Sequence, residues 1–297
     1  RFQLLLSYLS THVMETLFPK SDQFFDGPFQ IFQKSSFHRN LNKGYFSKFI
    51  TTMSTIVTAF LTKINQIDYR NVETYLEYGK KILRINVPCV CFVEREIYET
   101  HFLSSLATYP QTYFFLFEKT DNYLYQYIDQ VSQYDLHSDN PNKDTIDYMF
   151  LQCHKTEFLK QVASIDPFHT SNFTWIDFGI YHMIQNEDTL VQGITHVSQS
   201  VYPNVRIASC VDPNQPCVTD IYRFVVWYFA GSIIGGHKDS LISYANAMRD
   251  KCIAIIQEKH HIMWEINIWY LLYQDPQFQP LFNCYVANHD PSILLHY

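Results

Sequence analysis

Apolar residues in this chain gather into short, nearly continuous runs, separated by stretches in which they recur at helical spacing. Ser54–Phe60, Val87–Val93 and Thr112–Phe117 are runs of the first kind, the pattern of strands buried on both faces of a parallel sheet. Between the first two, Val72, Tyr75, Leu76, Gly79 and Leu83 share one face of a helix predicted over Asn71–Leu83. Strand and helix alternating at this spacing predict an α/β domain with a mostly parallel central sheet. Ligands of such sheets sit beyond the carboxyl ends of the strands.

The pattern continues to the C-terminus. Residues 133–146 read as a polar surface loop, and one helix is predicted from about Tyr148 to Val162, carrying Lys155. A central strand follows at Trp175–Ile180, then a strand and a Pro- and Asn-bearing loop between Gln192 and Val218. The apolar run Ile221–Phe229 opens into a glycine-bearing loop, Ala230–His237. Asp239 or Ser240 caps a helix with Leu241, Tyr244, Met248, Cys252 and Ile255 on one face. A second helix spans Trp264–Tyr273, and Asn283–Asp290 reads as a tail. Ahead of this core, residues 1–50 hold a helical pattern from Phe2 to Leu17, ended by Pro19, and then scattered apolar anchors. They read as a helical extension packed on the domain of residues 51–297, with a homo-oligomer contact as its candidate role.

Composition narrows the choice of partners. Hydrophobic residues at 47% and charged residues at 17% exclude a disordered chain. A net charge of −7 with no dense basic run excludes nucleic acid as a main partner. No run is long and apolar enough for a transmembrane span. The seven cysteines sit mostly in apolar contexts and fit free thiols in a reducing, cytoplasmic compartment. Cys210 and Cys217 flank a short loop and are the pair placed for a local disulfide. Because the chain opens on Arg1, a removed targeting segment, and with it the secretory lumen, stays open. The Asn-, Lys- and aromatic-bearing composition suits an AT-rich genome such as that of a large DNA virus, which would place the protein in host cytoplasm.

Three features carry candidate chemistry. Asp177 is the single carboxylate of the aromatic run Asn172–Met183. A charge in such company calls for a metal or a cation as partner, unless it is a hydrogen-bonded cap of the strand end. The glycine-bearing loop allows a close backbone approach to a ligand, or simply a tight turn, but holds neither a dinucleotide nor a phosphate-loop signature. Glu265 beside Trp264 reads either as a general base with a raised pKa or as a solvated helix residue. His260 and His261 are adjacent and cannot form a helical metal pair, so they read as surface residues. The sequon Asn172-Phe-Thr174 lies in the strand-like run and reads as a chance match.

An ordered set of stretches resembles the HtrL/YibB (WlaTC-like) family, a group similar to nucleotide-sugar glycosyltransferases of the GT-A type. The set is Thr55–Phe60, Tyr69-Arg70 with Glu73 and Tyr75, Pro88–Glu94, Lys155 with Phe158 and Leu159, Asp166–Phe168, Trp175–Ile180, Phe229–Gly231 with Gly235-Gly236, and Trp264-Glu265. The resemblance implies a GT-A-like nucleotide-binding sandwich in which a central strand delivers an acid to Mn²⁺ or Mg²⁺. In that frame Asp177 is the metal acid and His289 completes the coordination. Thr58, Ala59, Phe60, Arg70 and Glu94 lie near the nucleotide, and Lys155 near the sugar nucleotide. Ala230, Gly231, Gly235 and Gly236 line the sugar and acceptor cleft with Trp264, and Glu265 is the candidate base if the reaction inverts. The usual signature has two acids separated by one residue, whereas the second place here is Gly179.

The implied activity is transfer of a sugar from a nucleotide-sugar donor to a hydroxyl of a glycan or glycoprotein acceptor. The alternatives are a non-catalytic carbohydrate- or protein-binding module on the same fold, and a nucleotide-diphosphate hydrolase.

Overall fold

The computed structural model describes residues 53–62 and 71–297, together with the backbone of Ile31–Phe32. The remaining N-terminal residues, and with them the helical extension, its oligomer contact and Arg70, lie outside the described residues.

The three apolar runs form β2 (Ser54–Phe60), β3 (Cys89–Val93) and β4 (Thr112–Leu116), all parallel. On the other side of β2 lies β5 (Asn172–Ile176), also parallel to it. Beyond β5 come β7 (Phe229–His237), running antiparallel, then β6 (Val205–Ser209) and β8 (Phe282–Val286). The two-residue β1 (Ile31–Phe32) adds an antiparallel edge beside β4, giving the order β1-β4-β3-β2-β5-β7-β6-β8.

Successive strand residues point to opposite faces, so each strand feeds two cores. Val57, Val90, Phe92, Phe115 and Phe173 enter one core with α3 (Ile146–Cys153), α4 (Lys155–Ile165), α7 (Lys238–Lys259) and α8 (Glu265–Tyr273). Ile56, Cys89, Cys91, Phe114 and Ile176 enter the other with α1 (Val72–Leu83), α2 (Arg95–His101), α6 (Glu187–Gln199) and α9 (Ser292–Leu295). The result is a three-layer mixed α/β sandwich on a mostly parallel sheet, as expected from the hydrophobic pattern. Caps start the helices locally: Asn71 accepts from Thr74 N–H at 3.1 Å, and Asn186 from Thr189 N–H at 2.8 Å.

Several elements differ from the sequence expectation. The single helix over Tyr148–Val162 is two, α3 and α4, broken at His154 while the apolar spacing runs on. Residues 187–199 are helical rather than strand, begun by the Asn186 cap. The glycine-bearing segment 230–237 is strand β7, not a loop, and the Asn283–Asp290 tail contributes β8. His261 is buried, with its ring nitrogens on the carbonyls of Gln133 and Tyr222 at 3.1 and 2.7 Å. Cys210 and Cys217 are free thiols, as are the other five cysteines. Asn172 is buried on β5, which leaves its sequon no room for a glycan.

Candidate functional site

From β2 the chain turns to β3 on one side, while β5 lies on the other, so the connections diverge at the carboxyl ends of β2 and β5. A crevice at such a divergence is where open α/β sheets take their ligands. A cavity of about 550 Å³ occupies that place. Its lining comes from the end of β2 (Ala59, Phe60, Leu61, Thr62), the start of α1 (Asn71, Val72, Tyr75), α3 and α4 (Tyr148, Leu151, Gln152, Lys155), and the turn after β5 (Trp175, Asp177, Phe178, Gly179, His182). Its volume falls in the ordinary range for a small-molecule site, roughly 300–1,000 Å³.

Asp177 follows the last residue of β5 and is 38% exposed, so its carboxylate opens on the cavity. Its partners are a cation and a hydrogen-bond donor. Lys155 Nζ stands 3.0 Å from Asp177 Oδ1, and the Trp175 indole N–H donates to the same oxygen at 2.7 Å. Both contacts fall on Oδ1.

Lys155 is the first residue of α4, placed there by the break at His154, and its side chain is only 3% exposed. Its ammonium also donates to the Gly231 carbonyl at 2.8 Å and to Glu265 Oε1 at 3.0 Å. Two hydrogen bonds and the ion pair with Asp177 thus surround the ammonium. Burial alone would lower the lysine pKa, but Asp177 and Glu265 outweigh it and hold the group above its ordinary value. One cation between two carboxylates leaves the trio with one net negative charge.

Glu265 opens α8 and is 6% exposed; its carboxylate lies beneath β7 on Lys155 and is not part of the cavity lining. Glu94 is buried after β3, where Oε2 accepts from Thr62 N–H at 3.0 Å and Thr62 O–H at 2.8 Å. It thus fastens the chain where β2 enters the cavity.

Of the residues singled out from sequence, the structure brings Ala59, Phe60, Lys155 and Asp177 into the lining. Thr58 is buried within β2, and Ala230 and Trp264 are buried outside the cavity. Gly235 and Gly236 pair with Thr174 and Phe173, in the amino-terminal part of β5 away from Asp177. His289 lies edge-to-face with Trp227, ring centroids 4.9 Å apart, and does not line the cavity. Burial lowers its pKa, with Asp290 opposing.

Sequence reasoning passed over Tyr75 and His182 as site residues. Tyr75 covers Gly179: a Cβ there would lie 2.7 Å from Tyr75 Cδ1. The place of the second acid in the usual signature is closed by an aromatic ring. His182 stands five positions after Asp177 in the same turn, a spacing that could have drawn notice.

A divalent cation of the expected kind takes oxygen ligands, several of them from bound phosphate and water. Among the described residues no group of three or more His, Cys, Asp or Glu could hold one alone. Asp177 Oδ2, outside both contacts of that carboxylate, fits a cation shared with a phosphate ligand.

Cavity, acid and switch-point topology together define a mixed α/β sandwich with a ligand-sized crevice at its switch point. More particularly, the chain belongs to the HtrL/YibB family: residues 52–286 match the family described as bacterial proteins of unknown function (HtrL_YibB). No curated protein sequence matches it. Among solved structures, mouse xyloside xylosyltransferase 1 (apo form) is similar at 10% identity, with a TM-score of 0.39, over 78% of this chain and 84% of that one. The 4-diphosphocytidyl-2C-methyl-D-erythritol synthase of Anaerococcus prevotii DSM 20548 is similar at 8% identity, with a TM-score of 0.36, over 79% and 88%.

Proposed function

We propose that this protein is a nucleotide-sugar-dependent glycosyltransferase whose donor occupies the cavity at the ends of β2 and β5. The observation that carries this reading is Asp177, a carboxylate delivered by a central strand into a ligand-sized crevice at the topological switch point. Tyr75 and Tyr148, partly buried in the lining, offer aromatic surface for a base and a sugar, while the buried Phe60 and Phe178 rings stack 4.6 Å apart beneath it. Lys155 and the Trp175 indole fix the Asp177 carboxylate, so no reorganisation is needed when the ligand arrives. Glu265 acts in this reading through Lys155 rather than at the reacting atoms. A divalent cation at Asp177 Oδ2, Mn²⁺ or Mg²⁺, would neutralise the departing diphosphate. The acceptor is a hydroxyl of a glycan or glycoprotein: its oxygen forms the new bond to the anomeric carbon as the bond to phosphate breaks, the nucleoside diphosphate leaves with that electron pair, and the hydroxyl proton passes to water.

The test is a thermal-shift screen of UDP-, GDP-, CMP- and dTDP-sugars with and without Mn²⁺. Binding at a hundredfold over Kd stabilises by about 2.7 kcal/mol, and Asp177→Asn is expected to abolish the shift without lowering the melting temperature of the free protein. No shift with any nucleotide, in either metal state, would exclude the reading. A non-catalytic carbohydrate-binding module is the second reading, favoured by the aromatic share of the lining. It predicts binding of free sugars and no turnover.

A further inference from the structure

The cavity presents a problem of charge. Its described lining residues include one ammonium, Lys155, which donates to Gly231 and Glu265 and is ion-paired with Asp177. A diphosphate entering beside a trio of net negative charge meets repulsion there, and a further cation at the mouth of Asp177 would remove it.

Two side chains in the lining are prepared to hold that cation. Asp177 has Oδ1 fixed by Trp175 and Lys155, which leaves Oδ2 for a further contact. His182, exposed in the same turn, has Nδ1 at 2.7 Å from the Gly179 carbonyl. A carbonyl only accepts, so Nδ1 carries the hydrogen, and in the neutral ring the lone pair is on Nε2. An imidazole fixed through one nitrogen by a backbone carbonyl, in the same cavity lining as a carboxylate fixed through one oxygen, has the outer-shell support that orients metal ligands. The turn is held tight by two bonds, Ile180 N–H to Asp177 O and His182 N–H to Gly179 O, each 3.0 Å. His289, the imidazole expected from sequence, faces Trp227 instead.

We infer that His182 Nε2 and Asp177 Oδ2 together hold the divalent cation, with the ligand's phosphate oxygens and water filling its remaining positions. This rests on the nucleotide-sugar reading and adds a protein ligand to it. A site with two protein donors is weak alone and completed by the diphosphate, so cation and nucleotide are expected to bind cooperatively.

The experiment is Mn²⁺ titration followed by the electron paramagnetic resonance of the free ion, with Mn²⁺ alone and with UDP, GDP, CDP or dTDP. Wild type, His182→Gln, His289→Gln and Asp177→Asn are compared, and melting temperatures report folding; His182 is exposed, so its substitution leaves the core intact. One nucleoside diphosphate is expected to tighten Mn²⁺ binding, with His182→Gln weakening it at least about tenfold and His289→Gln leaving it unchanged. Nucleotide binding, followed by thermal shift, that is indifferent to Mn²⁺ would overturn the inference while leaving the transferase reading standing. So would loss of Mn²⁺ binding in His289→Gln with none in His182→Gln. Absence of nucleotide binding with or without Mn²⁺ would overturn both.

Discussion

Gly231 and Glu265 occupy a space that admits only one side chain. A Cβ at position 231 would lie 2.3 Å from Glu265 Oε1, the oxygen that holds Lys155. Gly231→Ala is therefore expected to push the carboxylate aside, costing about 1–3 kcal/mol as overpacking, and to weaken ligand binding through Lys155. Urea melts and ligand-induced thermal shifts measure the two effects. A variant that melts and binds like wild type would show that Glu265 moves away without consequence.

Lys155 is expected to be the most costly of the cavity residues to remove. Lys155→Met leaves Glu265 as a buried charge without its cation, a loss of about 3–5 kcal/mol. Asp177, at 38% exposed, is screened by solvent and adds little to that figure. The double variant Lys155→Met with Glu265→Gln should recover a good part of the loss, because the uncompensated charge is gone. Equal stability of single and double variants would contradict the pairing.

Gly179 and Tyr75 form a second close approach. Restoring the acid of the usual signature by Gly179→Asp is expected to destabilise by about 1–3 kcal/mol, since its Cβ meets the tyrosine ring. Adding Tyr75→Ala should relieve most of that cost. A double-mutant cycle reads the coupling directly, and additive effects would mean that the ring is not the obstacle.

His154 gives the stability a pH dependence of known sign. It is buried between Phe117, Tyr123 and Phe158, and burial, with Arg249 adding to it, pushes its pKa down to about 3 from 6.5. Between those values the unfolded chain binds a proton that the folded one refuses, so stability rises with pH. Its contribution is complete above about pH 6.5 and falls by roughly 1.4 kcal/mol per pH unit below it. Urea melts at pH 7.5, 6.5 and 5.5 on wild type and His154→Phe test this, the substitution being expected to flatten the slope. An unchanged slope would assign the dependence to other groups.

The α/β sandwich was legible because β2, β3 and β4 are buried on both faces, so their composition alone marks them. β5 was legible with its end misplaced: the apolar run continues past Ile176, but the turn at Ile180, not hydrophobicity, stops the strand. β7 was read as a loop since glycine marks close approach without saying whether the neighbour is a ligand or the protein. Here Gly235 lies against Thr174 and Tyr297, and Gly236 has φ +147° against the Asn204 carbonyl. These are packing contacts in the sheet, and nothing local distinguishes them from a ligand cradle. β8 went unread because it pairs at the sheet's far edge and is only partly buried.

By itself the sequence determined the layers of this protein and singled out Asp177 as a carboxylate that needs a partner. The layers follow from burial, which leaves its mark on composition. Which partner answers that need was decided only by the tertiary structure. Lys155, Gly231 and Glu265 come from α4, β7 and α8, and their distances depend on a helix break at His154 that the apolar spacing does not record. The same holds for His182 and His289. The sequence reading chose His289 and passed over His182, yet the turn after β5 put His182 in the cavity while the path beyond β8 carried His289 to Trp227.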